Sequence, residues 1–103
     1  MMWVKWETEG GGDLLGRSFT LDVLDRVFMR DELKAFSCLK YIDSYDDTSY
    51  NHLQMAEVIK ELAIVEELDL SETERQELLG LYEFIACLDG KLRNSSFLKF
   101  YGE

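Results

Sequence analysis

The chain has 103 residues, of which 47% are hydrophobic and 13% aromatic, and its 21 Asp and Glu against 11 Lys and Arg give a net charge of −10. A chain this rich in apolar residues can bury a core, so we expect the negative charge on a folded surface. Such a surface repels nucleic acid and anionic membranes and attracts basic proteins. The composition therefore argues against nucleic-acid and membrane partners and favours a basic protein partner.

The length predicts a single domain over residues 1–103. The first residues become charged too soon for a signal peptide, and no apolar run is long enough to cross a bilayer, so we expect a soluble cytoplasmic protein. Cys38 and Cys87 have apolar neighbours. They are predicted to be buried free thiols rather than disulfide partners or metal ligands, and no cofactor is expected.

The N-terminal segment predicts a strand and a turn. Residues 2–8 alternate, with Trp3 on one side and Val4 and Trp6 on the other, and their bulky side chains suit a strand. The run Gly10–Gly12 has neither the spacing nor the basic residue of a phosphate-binding loop. It is predicted to be a flexible turn.

A first helix is predicted after this turn. Ser18 or Thr20 is the expected N-cap, and the helix extends through Arg30, with Phe36 as the furthest end considered. The segment between Phe36 and Tyr45 is irregular and fits either a short strand or an ordered loop. The apolar residues that define the helical face are Leu21, Leu24, Val27 and Phe28.

Two capping boxes predict the starts of two further helices. In the first, the side chain of Asn51 accepts a hydrogen bond from the backbone of Gln54, and Gln54 returns the contact. The second has Ser71 and Glu74 in these positions. The predicted helices cover residues 52–68 and 72–89.

The helix over residues 52–68 is predicted to be amphipathic. Its predicted buried side consists of Leu53, Ala56, Ile59, Leu62, Ala63 and Val65 or Glu66. Its predicted solvent side consists of Glu57, Lys60, Glu61 and Glu67.

Residues 97–101 alternate as a second strand does, and their natural partner is the N-terminal strand, because a lone strand leaves its backbone groups unpaired. The predicted fold class is α+β. A small sheet made of the N- and C-terminal strands packs against three helices, and the content is mainly helical.

Two acidic segments are predicted to contact the partner. The first mixes tyrosines with aspartates between residues 41 and 50, a composition typical of interfaces. The alternative is that some of these tyrosines fill the core and the aspartates solvate a turn. The second, from Glu66 to Glu77, includes only Arg75 as a basic residue, and helix-start preferences account for part of its charge. The predicted contact residues are Asp43, Tyr45, Asp46, Asp47, Tyr50, Glu66, Glu67, Asp69, Glu72 and Glu74.

A rival hypothesis is a small enzyme or a cation-binding protein. His52, the only histidine, is close in sequence to Asp46 and Asp47 and can act with them as an acid or base. Together with Asp43, these aspartates also resemble a loose oxygen-ligand cluster. The spacing matches neither an EF-hand nor a nucleophilic triad, so the chain is predicted not to be an enzyme.

The segments 41–54 and 97–103 resemble a family of small acidic bacterial proteins. The shared pattern is Tyr-x-Asp-Thr-x-aromatic-Asn-x-x-Gln, followed by an aromatic strand that ends in Gly102 and Glu103. This resemblance transfers no catalytic residue. Small acidic bacterial proteins of this kind are often immunity proteins or antitoxins, so by analogy it implies neutralisation of a basic toxin such as a nuclease. The residues that match the pattern are Tyr45, Asp47, Thr48, Tyr50, Asn51 and Gln54.

Overall fold

The computed structural model describes residues 1–8, 10–43, 45–87 and 96–102. In these ranges four strands form one antiparallel sheet in the order β2-β1-β4-β3, and three α-helices and two 3₁₀ helices accompany it. The strands are β1 (Met2–Thr8), β2 (Phe19–Leu21), β3 (Thr48–Asn51) and β4 (Ser96–Tyr101). The α-helices are α1 (Leu24–Phe28), α2 (Met55–Val65) and α3 (Glu72–Ala86), and the 3₁₀ helices are Asp31–Ala35 and Leu39–Tyr41.

The α+β class is confirmed, with 42% of the described residues in helices and 23% in strands, so "mainly helical" overstates the helical share. The predicted pairing of the terminal strands is also confirmed. β1 and β4 are antiparallel neighbours at the centre of the sheet, from Trp3 opposite Tyr101 to Thr8 opposite Ser96. β2 pairs with the other side of β1, and β3 pairs with the other side of β4. Each central strand therefore has a neighbour on both sides, which satisfies its backbone donors and acceptors.

The glycine run forms the predicted turn. The amide of Thr8 donates to the carbonyl of Gly12 at 2.7 Å, and Gly11 has φ +88°, a conformation that favours glycine. This turn reverses the direction of the chain after β1, so that residues 19–21 can pair with β1.

The prediction of a helix from Ser18 or Thr20 is wrong. Residues 19–21 form β2, in which Phe19 pairs with Val4 of β1. Helix α1 begins only at Leu24 and has five residues. The chain then continues into a 3₁₀ helix rather than one long helix to Phe36. β1 needs a second neighbour, and the aromatic and β-branched residues of this segment suit a strand.

The core lies between one face of the sheet and the helices. Trp6 is fully buried, and its indole N–H donates to the carbonyl of Phe84 in α3 at 3.2 Å. Gly80 of α3 lets Phe19 of β2 approach closely, because a Cβ there would lie 2.8 Å from the aromatic ring. The strand residues on this face are Met2, Val4, Trp6, Leu21, Tyr50, Leu98 and Phe100.

The capping boxes have different outcomes. The box of Ser71 and Glu74 begins α3 as predicted. In the other, both hydrogen bonds between Asn51 and Gln54 are present at 2.9 and 3.0 Å, but α2 begins at Met55. Asn51 ends strand β3, so this box closes the turn between strand and helix. Residues 88 and 89 of the predicted last helix lie outside the described residues.

The predicted buried side of α2 is correct for Leu62 and Val65 and wrong for the other predicted residues. Leu53 is 77% exposed and Ile59 is 41% exposed, whereas Glu61, predicted on the solvent side, is only 2% exposed. The interior therefore accepts a carboxylate within an otherwise apolar helix face. The buried residues of α2 are Met55, Val58, Glu61, Leu62 and Val65.

The two cysteines are both free, as predicted. Cys38 is buried, but Cys87 is exposed, so the prediction of two buried thiols is wrong for Cys87.

Candidate protein-binding surfaces

The first predicted segment contains a loop that its own aspartates hold in shape. We call Asp43, Tyr45, Asp46 and Asp47 the acidic loop. The carboxylate of Asp43 accepts from the amide of Tyr45 at 2.9 Å, and that of Asp46 accepts from the amide of Asp47 at 2.8 Å. Bonds of this local kind are the reason that Asp favours turns.

The end of strand β4 anchors this loop. The amide of Gly102 donates to the carboxylate of Asp47 at 3.2 Å. A Cβ on Gly102 would lie 2.7 Å from the carbonyl oxygen of Asp43 and would also overlap the backbone of Asp46. The loop is therefore packed against the sheet at a position that only glycine fits.

Most residues of the Tyr-x-Asp-Thr pattern have a structural role. The hydroxyl of Thr48 donates to the carbonyl of Tyr41 at 2.8 Å, and Asn51 and Gln54 close the turn before α2. Tyr45 is different, because its side chain is 82% exposed. It is the pattern residue whose ring is available to a partner.

Tyr50 does not belong to the predicted contact surface. Its side chain is 2% exposed, and its hydroxyl donates to the carbonyl of Cys38 at 2.5 Å. Burial raises the pKa of this phenol above its ordinary value, with smaller contributions from Cys38 and Glu61. For this residue the alternative reading is correct, since Tyr50 fills the core.

The second predicted segment forms the connection between α2 and α3. We call Glu66, Glu67, Asp69 and Glu72 the acidic turn. All four are exposed. Glu74 is half-buried, because it completes the capping box and also lies 3.7 Å from the guanidinium of Arg30.

The arginines beside the acidic turn bind backbone carbonyls rather than its carboxylates. Arg75 donates to the carbonyls of Glu66 and Leu68 at 2.9 and 3.1 Å, and Arg30 donates to that of Asp69 at 2.9 Å. The guanidinium of Arg75 thereby satisfies carbonyls at and just after the C-terminal end of α2, where a cation is favoured, and that of Arg30 satisfies a carbonyl of the connection to α3. The side-chain carboxylates of the turn stay free of them.

Ion pairs are few in the part of the chain that the structure describes. Of the ten predicted contact residues, Glu74 alone takes part in one there. The pairs join the N-terminal amine to Asp25, Arg30 to Glu32 and Glu74, and Lys34 to Asp31. The exposed carboxylates of the acidic loop and acidic turn are therefore not neutralised by neighbouring cations.

A cavity of about 160 Å³ opens beside the acidic turn, lined by Glu66, Arg75, Leu78, Leu79 and Tyr82. The hydroxyl of Tyr82 is buried there without a hydrogen-bond partner. Burial raises the pKa of this tyrosine, and the charge of Glu66 raises it further. The cavity thus combines an apolar wall, an unused hydroxyl, a carboxylate and the guanidinium of Arg75, which is bound to the carbonyls of Glu66 and Leu68.

Two further carboxylates have structural roles that the sequence did not indicate. Glu61 accepts from the amides of Cys38 and Leu39, the latter at 2.9 Å. Glu77 accepts from those of Val23 and Leu24, the latter at 2.9 Å. Each carboxylate thus sits at the start of a short helix and satisfies amides that have no intrahelical partner. The apolar residues around Glu61 at helical spacing were the available signal for its burial.

The residues of the enzyme or cation hypothesis have the following surroundings. His52 is half-buried, and its Nδ1 has no hydrogen-bond partner. The carboxylates of Asp43, Asp46 and Asp47 instead accept from backbone amides. Over the described ranges, no group of three or more His, Cys, Asp or Glu side chains is placed to hold a metal ion.

The sheet face that points away from the core was not predicted as a site. We call Trp3, Lys5, Glu7, Phe97, Lys99 and Tyr101 the open face. Trp3 stacks on Tyr101 with ring centroids 5.8 Å apart and planes 7° apart. The ammonium groups of Lys5 and Lys99 lie 5.8 and 4.8 Å from the centroid of the Tyr101 ring. These distances are in the range of cation–π interactions.

Glu7 fixes the position of Tyr101 on the open face. The phenol of Tyr101 donates to the carboxylate of Glu7, which is buried. Burial, followed by the hydrogen bond and charge of Glu7, raises the pKa of Tyr101 to about 12. The phenol is therefore protonated near neutral pH, and it holds the ring in place between the two lysines.

No family model matches the chain, and no curated protein or solved structure is significantly similar to it. The resemblance to small acidic bacterial proteins stays a prediction. Within the described ranges, no helix combines the length and the hydropathy needed to cross a membrane.

Proposed function

We propose that this chain is an immunity-type or antitoxin-like protein that binds and neutralises a basic protein, such as a nuclease toxin. The acidic loop and the acidic turn form the contact surfaces. The observation that carries the proposal is that their exposed carboxylates lack ion pairs within the described residues. Like charges on one surface repel each other, and a cationic partner removes that cost.

The acidic loop is suited to binding because it is already ordered. The hydrogen bonds of Asp43, Asp46 and Asp47 fix its backbone before any partner arrives, which reduces the entropy lost on association. Tyr45 presents a large exposed ring at this loop. Tyrosine is enriched among the residues that dominate binding energy, so Tyr45 is the expected anchor.

The cavity beside the acidic turn supplies a second anchor point. A long basic side chain of the partner fits its chemistry, because the stem packs on Leu78 and Leu79 while the charged end meets Glu66. Its donor group also satisfies the unpaired hydroxyl of Tyr82.

On this proposal the protein acts stoichiometrically and without a cofactor. Its place is the bacterial cytoplasm, where a nuclease toxin meets its substrate. The inhibitor covers the basic groove of the toxin that otherwise holds nucleic acid, so its negative surface competes with phosphate groups.

The test uses the product of the neighbouring gene as the partner. Its association rate constant with this chain is measured by stopped-flow fluorescence over a range of salt concentrations. We expect the rate constant to fall by about tenfold from low to high salt, because screening weakens electrostatic steering. A rate constant that does not change with salt contradicts the charge argument.

Two matched comparisons locate the contacts. Glu66→Gln with Glu67→Gln is expected to lower the association rate, whereas Asp22→Asn with Glu83→Gln removes the same charge from exposed positions elsewhere. Tyr45→Ala is expected to speed dissociation by about tenfold, a typical loss for an interface anchor. Tyr41→Ala is its control, since Tyr41 is also exposed. Equal effects within either comparison contradict the proposed surfaces.

A further inference from the structure

The open face holds two lysines directly opposite each other. Lys5 of β1 and Lys99 of β4 are register partners on the two central strands. Neither ammonium group forms an ion pair with a carboxylate of the described residues. In a chain with 21 acidic residues and 11 basic ones, this unneutralised positive pair is unexpected.

The arrangement costs stability unless something else uses it. Like charges at directly opposite positions in a sheet destabilise the strand pair. The ring of Tyr101 offsets part of that cost through its contacts with both ammonium groups. The carboxylate of Glu7 lies on the same face and keeps its charge, but it accepts from the phenol of Tyr101 and forms no ion pair with either lysine.

We propose that the open face binds an acidic segment of a partner protein. Carboxylates of that segment lie on Lys5 and Lys99, and its apolar side chains pack on the stacked rings of Trp3 and Tyr101. Local charge complementarity supports this partner, because the ammonium groups of Lys5 and Lys99 belong to register partners and neither forms an ion pair within the described residues. The aromatic pair supplies the contact area that recurs at protein interfaces.

A cavity at one end of the open face extends the same surface. It has a volume of about 250 Å³, and Glu7, Phe97 and Lys99 contribute to both the face and the cavity. Ser49, the register partner of Lys99, is exposed beside it and offers a hydroxyl. The cavity is suited to one apolar side chain of the bound segment, with Lys99 close to the next carboxylate. Its lining residues are Glu7, Thr8, Gly11, Ser49, Phe97 and Lys99.

Nucleic acid and a second copy of the chain fit the face less well. The rings of Trp3 and Tyr101 already stack on each other instead of presenting two separate platforms for the bases of a nucleic acid. A second copy bound face to face sets its own Lys5 and Lys99 against this pair, and like charges repel. This inference does not depend on the proposed function, because the open face selects an acidic segment and the acidic surfaces select a basic one.

The test uses a capped peptide of sequence Glu-Leu-Glu-Leu-Glu, titrated to about 1 mM, the upper limit for a weak specific complex. Tryptophan emission reports on the open face, since Trp3 is half-buried there and Trp6 is in the core. We expect a saturable change in emission. Trp3→Phe is expected to abolish that change while binding persists in calorimetry.

Variants and competing probes decide between the occupants. Lys5→Gln with Lys99→Gln is expected to weaken peptide binding at least about tenfold, because both charge contacts are lost. Lys60→Gln, at an exposed position of α2, is expected to change it by less than about twofold. The melting temperature of the double variant should match or exceed that of the unchanged chain, since the like-charge pair is gone.

The proposal is overturned by several results. The first is equal affinity for the peptide Gln-Leu-Gln-Leu-Gln, which keeps the apolar side chains and lacks the charge. The second is binding of single-stranded dT12 in place of the acidic peptide. The third is a dimer in sedimentation that the double lysine variant abolishes, with no peptide binding. Absence of any saturable signal with the acidic peptide also overturns it.

Discussion

Two groups of carboxylates in this chain contrast sharply. Glu61 is buried and Glu77 is half-buried, and each accepts hydrogen bonds from two successive backbone amides. Glu66 and Glu67 are exposed, and their side chains have no ion pair within the described residues. Glu77 belongs to the same acidic stretch of sequence as Glu66, so sequence position alone does not separate the two groups.

The contrast shows that a count of acidic residues adds together carboxylates that stabilise the fold and carboxylates that are available to a partner. Buried or half-buried carboxylates that accept from backbone amides at helix starts, such as Glu61 and Glu77, stabilise the fold and are unavailable to a partner. Only the exposed carboxylates without an ion pair contribute a surface that attracts cations. Substitutions that remove one charge each therefore test the contrast directly, because they should change the stability of the fold in one group and binding in the other.

The largest expected effect is that of Glu61→Ala. It leaves the amides of Cys38 and Leu39 unpaired in the core and opens a cavity, and we expect a loss of about 3 kcal/mol in the free energy of unfolding. Urea denaturation measures it. Glu57→Ala, one turn earlier in α2, is the control and should cost less than about 0.5 kcal/mol. Similar losses for both variants break the contrast.

Glu77→Ala is expected to cost about 1.5 kcal/mol, because the site is half-buried and water can replace part of what the amides of Val23 and Leu24 lose. The same denaturation experiment applies. Glu72→Ala is its control, since Glu72 lies in the same helix and is exposed. If Glu77→Ala lowers the free energy of unfolding no more than Glu72→Ala does, the hydrogen bonds of Glu77 do not stabilise the fold.

Part of this fold could be predicted from the sequence. The pairing of β1 with β4 followed from alternation at both ends of the chain, and the box at Ser71 located the start of α3 because its hydrogen bonds are local. The strand at residues 19–21 was mistaken for helix. It has three residues, and its pairing with β1 is a tertiary contact that overrides local spacing.

The candidate site was predictable to a smaller extent. Glu61 was assigned to solvent because its partner amides lie 22 and 23 residues away in the chain. Tyr50 was assigned to the surface although the alternation within β3 points its ring into the core. The open face depends on a register in which Lys5 meets Lys99, and composition shows nothing of that register.

A third kind of carboxylate, that of Glu7, sharpens the contrast through pH. It accepts a hydrogen bond from the phenol of Tyr101, whose pKa is raised from its ordinary value of 10.0 to about 12. The folded state therefore holds this proton more tightly than the unfolded state does, and its contribution is fully present below pH 10 and is lost as the pH rises towards 12. We expect the melting temperature to decline over this range.

Tyr101→Phe is the matched variant for that measurement. It keeps the ring and removes the titrating hydroxyl, so its decline between pH 10 and pH 12 should be shallower than that of the unchanged chain. Tyr45→Phe, at the exposed ring of the acidic loop, should leave the decline as it is. If the melting temperatures of the unchanged chain and of Tyr101→Phe decline in parallel, the hydrogen bond between Tyr101 and Glu7 does not contribute to the loss of stability at high pH.

The smallest expected effect is that of the exposed carboxylates themselves. Glu66→Gln with Glu67→Gln should change the free energy of unfolding by no more than about 0.5 kcal/mol, and the sign should be stabilising at low salt because two repelling charges are removed. Urea denaturation at low and high salt measures this, and the gain should vanish when the charges are screened. A clear loss of stability at low salt would mean that these carboxylates also support the fold. Their lack of ion pairs would then no longer favour a partner, since carboxylates that stabilise the chain need no other reason to be there.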